Sequence, residues 1–220
     1  MKAFIYLSIS VTFLASSCGK PGLAVTGDER FHEYPSELSA REFAEWKKNE
    51  TQLLSQKKTE DITFTICYQP AEWLALKSLG KSASSELVNR ETSNYQDLMY
   101  FTLRMQLNTE QTELLKFRCT GSHNYQERVN YYSFKVQNDI GLVIDSKDTL
   151  PCSISHFERA YTITNYTDIM LGFSMKELNK LAPEWKTVTV LFNDRIFENA
   201  IIPFSFERKQ LSNTPKVKVS

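Results

Sequence analysis

Between residues 62 and 68 apolar and polar side chains alternate without a break. Ile62, Phe64, Ile66 and Tyr68 fall on one side, Thr63, Thr65 and Cys67 on the other. Period two marks a strand with one buried face. The pattern returns over 99–107, where Met99, Phe101, Leu103, Met105 and Leu107 oppose Tyr100, Thr102, Arg104 and Gln106. Asn108-Thr-Glu-Gln111 then reads as a hairpin loop into a return strand over about 112–119, with Leu115, Phe117 and Cys119 on one face. Beyond a turn region at 121–126, Tyr132, Phe134 and Val136 alternate, followed by Ile140, Leu142 and Ile144. A hairpin loop at 145–148 leads to Leu150, Cys152, Ile154 and His156 on one face. Ile169, Leu171, Phe173 and Met175 form the next stripe. Val188, Val190 and Phe192 pair through Asn193-Asp194-Arg195 with Ile202, Phe204 and Phe206. Pro203, opposite Phe204, predicts an edge strand or a bulge, because proline has no N–H to give to a ladder.

Helical spacing is concentrated upstream. Ser39 and Glu42 make a capping box, and Phe43, Trp46, Leu53 and Leu54 give an approximate helical stripe, predicting a helix over 39–56. Pro70 opens a second helix that Gly80 ends. A third covers 84–95, and a short one about 175–182 stops at Pro183. The expected fold is therefore mainly β with flanking helices. It is a β-sandwich-like domain or open barrel of about eight strands, with helices mostly within 39–95. One domain spans 39–207, and the polar segment 208–220 is expected to fray.

Before this domain stands MKAFIYLSISVTFLASSCGK. Lys2 is followed by an apolar run from Ala3 to Ala15, then Ser16, Ser17 and Cys18. A basic start, a short apolar run and small residues make an export signal, and the run is shorter than the about 20 residues of a membrane span. Ala15-Ser16-Ser17-Cys18-Gly19 resembles the lipobox of bacterial lipoproteins, although Leu14 lies one place earlier than the usual leucine. The resemblance implies cleavage after residue 17, lipid on Cys18 and a tether over 18–38. Two or more acyl chains anchor a protein stably where one does not. YQERVNYYSF, DTLPCSISHFER and VLFNDRIFENAIIPFSFER resemble segments of uncharacterised lipoproteins of Bacteroidota. That implies an envelope address, with the outer membrane as the expected location, and carries no activity.

The mature chain would keep 203 residues, with 25 basic and 26 acidic side chains. Such a balance argues against a nucleic-acid surface. Cys67, Cys119 and Cys152 allow one disulfide and one buried thiol, or three free thiols. Without C-x-x-C, and with only His32, His123 and His156, no metal site is expected. Nor is a cofactor: there is no G-x-S-x-G, no H-E-x-x-H and no Gly-rich phosphate loop. His156-Phe-Glu158 has the H-x-E of zinc deaminases without the P-C-x-x-C that should follow it.

Three functional readings come from these residues. The first is a non-catalytic lipoprotein, tethered to the membrane through Cys18, that binds a protein partner in an envelope assembly. The second is a glycan or small-ligand module using tyrosine-rich faces at Tyr131, Tyr132, Tyr161 and Tyr166, since aromatic rings stack on sugars and on partners. The third is an enzyme centred on His156 and Glu158, which share a strand face in this reading, together with Cys152. An ion pair with a neighbouring strand is the plain structural role for Glu158.

Overall fold

The computed structural model describes residues 35–80, 83–109, 112–159 and 164–218. The leader 1–17, Cys18, most of the 18–38 tether and Tyr161 lie outside the described residues. The chain is mainly β, as its alternation predicts. In chain order the described strands are β1 (Glu37–Leu38), β2 (Leu54–Lys58), β3 (Ile62–Gln69), β4 (Leu98–Leu107), β5 (Ile140–Ile144), β6 (Asp148–Pro151), β7 (Ile154–Glu158), β8 (Tyr166–Ser174), β9 (Thr187–Asp194), β10 (Ala200–Glu207) and β11 (Lys216–Val217). The helices are α1 (Ala40–Asn49), α2 (Ala71–Leu79), α3 (Ser85–Thr92), α4 (Ser122–Phe134), α5 (Met175–Leu181) and α6 (Arg208–Ser212).

Two open antiparallel sheets hold the core. One has the order β2-β3-β4-β8-β7, the other β10-β9-β5-β6. The apolar stripe of each faces the other. Phe64 meets Phe192 at 6.1 Å and Phe101 meets Phe206 at 5.3 Å between ring centroids, all four rings being buried. Truncating such a ring to alanine costs about 3–5 kcal/mol. Pro203 lies in β10, at the edge of its sheet, where no neighbour asks for the missing N–H. Helices α1, α2 and α3 pack on one another through Phe43, Leu76 and Val88. The Ser39–Glu42 capping box that starts α1 is formed on both sides.

The structure differs from the expectation in five places. The first helix stops at Asn49, and Leu54–Lys58 forms edge strand β2 on β3. LSQKK is largely exposed and has no apolar alternation, so only the free edge of β3 reveals it as a strand. The return strand over 112–119 is a 3-10 turn at Leu114–Lys116. Neighbours Leu114 and Leu115 are both buried, which a strand with opposed faces cannot do. The alternation at 132–136 is helix α4 and the turn after it. Val129, Tyr132 and Val136 point inward at helical spacing, while Phe134 is 78% exposed.

The fourth difference is at Cys152. The strand expected through 150–156 is two strands in different sheets. The Cys152 N–H donates to Ile140 O in the four-stranded sheet, and the Ser153 N–H donates to Gly172 O in the five-stranded one. The handover shifts the phase: Leu150 and Cys152 face in, then Phe157 does, so His156 and Glu158 face out. Cys152 therefore shares no face with them. Fifth, the described part of the C-terminal segment, residues 208–218, forms α6 and β11. Leu211 of α6 and Val217 of β11 are buried, and β11 pairs in parallel with β1.

Candidate functional site

Polar side chains gather on two outward sheet faces and in one cleft of the described domain, and also where Tyr125 donates to buried Glu113 and accepts from Arg159. On the five-stranded sheet the cross-strand register sets Gln56, Thr65, Arg104, Asp168 and Glu158 in one row. Cys67, Thr102, Met170 and His156 make the next. Arg104 donates twice to Asp168, from Nε at 2.7 Å and Nη2 at 2.6 Å, and its guanidinium lies 3.8 Å from the Tyr166 ring centroid. The Asp168 carboxylate, foremost through these hydrogen bonds, holds the Arg104 pKa above its ordinary value. Lys47 of α1 reaches over this face and donates to Cys67 Sγ at 3.3 Å.

Tyr166, His156 and Glu158 are thus brought to one face, as the sequence suggested for the last two. His156 and Glu158 are exposed, on strand β7 at the margin of that face. The counter-ion expected for Glu158 is not its cross-strand neighbour, which is Asp168, already held by Arg104. Arg104 and Asp168 were missed in the sequence. They stand at outward period-two positions, but their pairing depends on register between strands 64 residues apart.

The other tyrosines part company. Tyr132 is fully buried, stacked on Phe157 at 5.7 Å, so its ring belongs to the core and not to a contact face. Burial drives its phenol well above the ordinary pKa. Tyr131 is partly buried and donates to Asp139 Oδ2 at 2.9 Å. Burial first, and the Asp139 carboxylate second, push its pKa up. Asp139 also binds Arg195 Nε at 2.6 Å and accepts from Asn193 Nδ2 at 3.3 Å. A groove lined by Tyr131 and Tyr132 does not form. Cys67, Cys119 and Cys152 are all unpaired, and burial raises the Cys152 thiol pKa.

The outer face of the four-stranded sheet is different in kind. Its twelve outward positions are Gly141 and Val143 of β5, Thr149 and Pro151 of β6, Thr187, Thr189, Leu191 and Asn193 of β9, and Ile201, Pro203, Ser205 and Glu207 of β10. Glu207, in the last pair of the β9–β10 ladder, is the one charged residue among them, in a chain of 24% charged residues. Ile201 is 60% exposed. The Asp139–Arg195 pair borders one end, beside a shallow hollow of about 590 Å³ that reaches Leu191 and Ile201. Glu207, opposite Thr187 in the register, borders the other. A third feature is a cleft of about 430 Å³ beside the first turn of α2, walled in part by α6 and β11. Among the described residues no group of three or more His, Cys, Asp or Glu side chains could hold a metal ion, and no helix is long and apolar enough to cross a membrane.

No family model matches the chain, and no curated protein matches it. A crystal structure described as a novel protein of unknown function from Burkholderia pseudomallei is similar over 81% of this chain and 94% of that one, with TM-score 0.39 and 10% sequence identity.

Proposed function

We propose that this chain is a non-catalytic cell-envelope lipoprotein, anchored at the outer membrane by lipid on Cys18, that docks a protein partner on the outer face of its four-stranded sheet. The outer face, with Glu207 at one end as the single charge among its twelve positions, carries the docking half of the reading. Interface cores are depleted in charge and ringed by polar groups, and this face has charges only at its ends. It is broad and shallow, which suits a protein surface better than a small molecule, since small ligands take concave sites. The hollow beside Asp139 and Arg195 would receive an apolar anchor side chain of the partner. The Ala15–Gly19 sequence supports the anchor.

Two measurements test the two halves. The intact mass of the mature protein from its native membranes should show acyl chains on an N-terminal Cys18, absent from Cys18→Ala; an unlipidated chain refutes the anchor. A photo-crosslinking amino acid at position 191 should give a discrete protein adduct in those membranes, and one at position 170 on the other sheet should not. Adducts at both positions, or at neither, refute the docking face.

A further inference from the structure

The cleft at the head of α2 has a different chemistry from either sheet face. β3 delivers Tyr68 to one side, and α2 places Glu72 in its first turn. The 3-10 turn Ser93–Tyr95 and the residue after it contribute Tyr95 and Gln96, and α5 contributes Asn179. Met99, Met175, Trp185 and Leu211 supply apolar wall. The C-terminal segment completes the site, with Lys216 of β11 opposite Glu72.

The charges here are matched inside the protein. Lys216 Nζ lies 2.8 Å from Glu72 Oε1. Arg208 sits over the Trp185 ring at 5.3 Å, donates to Pro183 O at 2.9 Å and faces Glu184 at 3.7 Å. A charged ligand would have to displace one of these partners.

The uncharged polar groups, by contrast, are open. Among the described residues, the hydroxyls of Tyr68 and Tyr95 and the side-chain amides of Gln96 and Asn179 make no hydrogen bond. A phenol is donor and acceptor, and each primary amide offers two donors and an acceptor. Burial first, then the neighbouring Glu72 carboxylate, push the Tyr68 pKa up to about 12. The phenol therefore stays a neutral donor across physiological pH. Gln96 and Asn179 are exposed and Tyr68 and Tyr95 half-buried, so these groups meet water in the open cleft, and the hydroxyls of a ligand would replace that water with hydrogen bonds of the same kind. Leu98 and Met175, the partly exposed apolar residues of the cleft, offer a surface for the C–H face of the same ligand.

We propose that this cleft binds a small uncharged polyol of mono- or disaccharide size. The volume of about 430 Å³ lies within the roughly 300–1,000 Å³ of small-ligand sites. This assignment does not depend on the docking face of the other sheet.

The test is ligand-observed NMR titration of the full chain with methyl glucoside, N-acetylglucosamine, maltose and lactose, and with glucose 6-phosphate and glucosamine as charged comparators. At least one neutral probe should bind with Kd below about 10 mM, more tightly than both charged ones. Tyr68→Phe should weaken it about fivefold to tenfold, the worth of one neutral hydrogen bond. Asn179→Ala, at an exposed helical position that leaves the core untouched, should weaken it similarly. Thermal melts of both variants verify the fold. The proposal is overturned if no neutral probe binds in that range, if a charged comparator binds best, or if both variants bind as the wild type does.

Discussion

On the outside of the five-stranded sheet an arginine, an aspartate, a glutamate and a histidine stand within two adjacent rows. On the outside of the four-stranded sheet eleven of twelve positions carry no charge, and the exception, Glu207, stands at one end. Both faces come from the same alternation, and both sheets bury their other side equally well, so core packing does not account for the difference. Charge costs little where water stays. Arg104 and Asp168 satisfy each other at a half-exposed site, where an ion pair contributes about 1 kcal/mol or less. Charge becomes expensive where water is to be expelled, because an unpaired buried ion carries a large desolvation penalty. A face kept nearly free of charge at some cost in solubility is a face suited to being covered.

The comparison breaks most visibly with a lysine on each face. Ile201→Lys should reduce the partner adduct formed from position 191 about a hundredfold, the order expected for an unpaired charge in an interface core. Met170→Lys, on the opposite sheet, should leave the yield within about twofold. Equal losses would mean that the two faces do not differ in function.

Thiol chemistry sharpens the contrast between inside and outside. Cys67 is on the half-exposed outer face, whereas Cys152 is buried with its thiol pKa raised by that burial. Alkylation by iodoacetamide, followed by peptide mass, should be at least about tenfold slower at Cys152, since the thiolate is the nucleophile. Comparable rates would show that the handover between the sheets opens readily.

Arg104→Ala should lower stability by about 1 kcal/mol or less in chemical denaturation, with the difference shrinking in high salt. Thr189→Ala, which removes the 2.9 Å contact with Ser205 on the nearly uncharged face, should cost about 0.5 kcal/mol and show no salt dependence.

The smallest effect is at the β5–β6 turn, where Asp145 and Ser146 both have positive φ. Asp145 accepts the backbone N–H groups of Thr187 and Lys186, at 2.8 and 3.0 Å, and these bonds lower its pKa. A carboxyl whose folded value is depressed stabilises the fold above its unfolded pKa. That contribution is lost as pH falls through the lower folded value. Asp145→Asn should therefore be less stable than wild type at neutral pH, and the two should converge in acid. A constant gap across pH would assign the role of Asp145 to turn geometry alone.

How much of this was legible in the chain follows from which interactions are local. The strands β3, β4, β5, β8, β9 and β10 and the capped helices α1 to α3 were readable, because alternation, Ser39–Glu42, Pro70 and Gly80 act within a few residues. β2 was not readable, since exposed LSQKK becomes a strand only through an edge it pairs with. α4 was misread because Tyr132, Phe134 and Val136 fit period two by chance. The true stripe of Val129, Tyr132 and Val136 was present but weaker to the eye. In the candidate sites, the outward placement of Glu158 and His156 hinged on one bend at Cys152–Ser153. The meeting of Arg104 with Asp168, and of Glu72 with Lys216, required contacts across 64 and 144 residues.

The sequence by itself determined a mainly β chain, and the proposed envelope anchor rests on its Ala15–Gly19 segment. Period-two burial and N-terminal motifs need no partner to be recognised. Only the tertiary structure decided which tyrosines are core, that one sheet face is nearly uncharged while the other is not, and that the C-terminal segment walls a cleft. Each of those depends on register and on which sheet a strand joins, and a one-residue change of phase reverses every side chain beyond it.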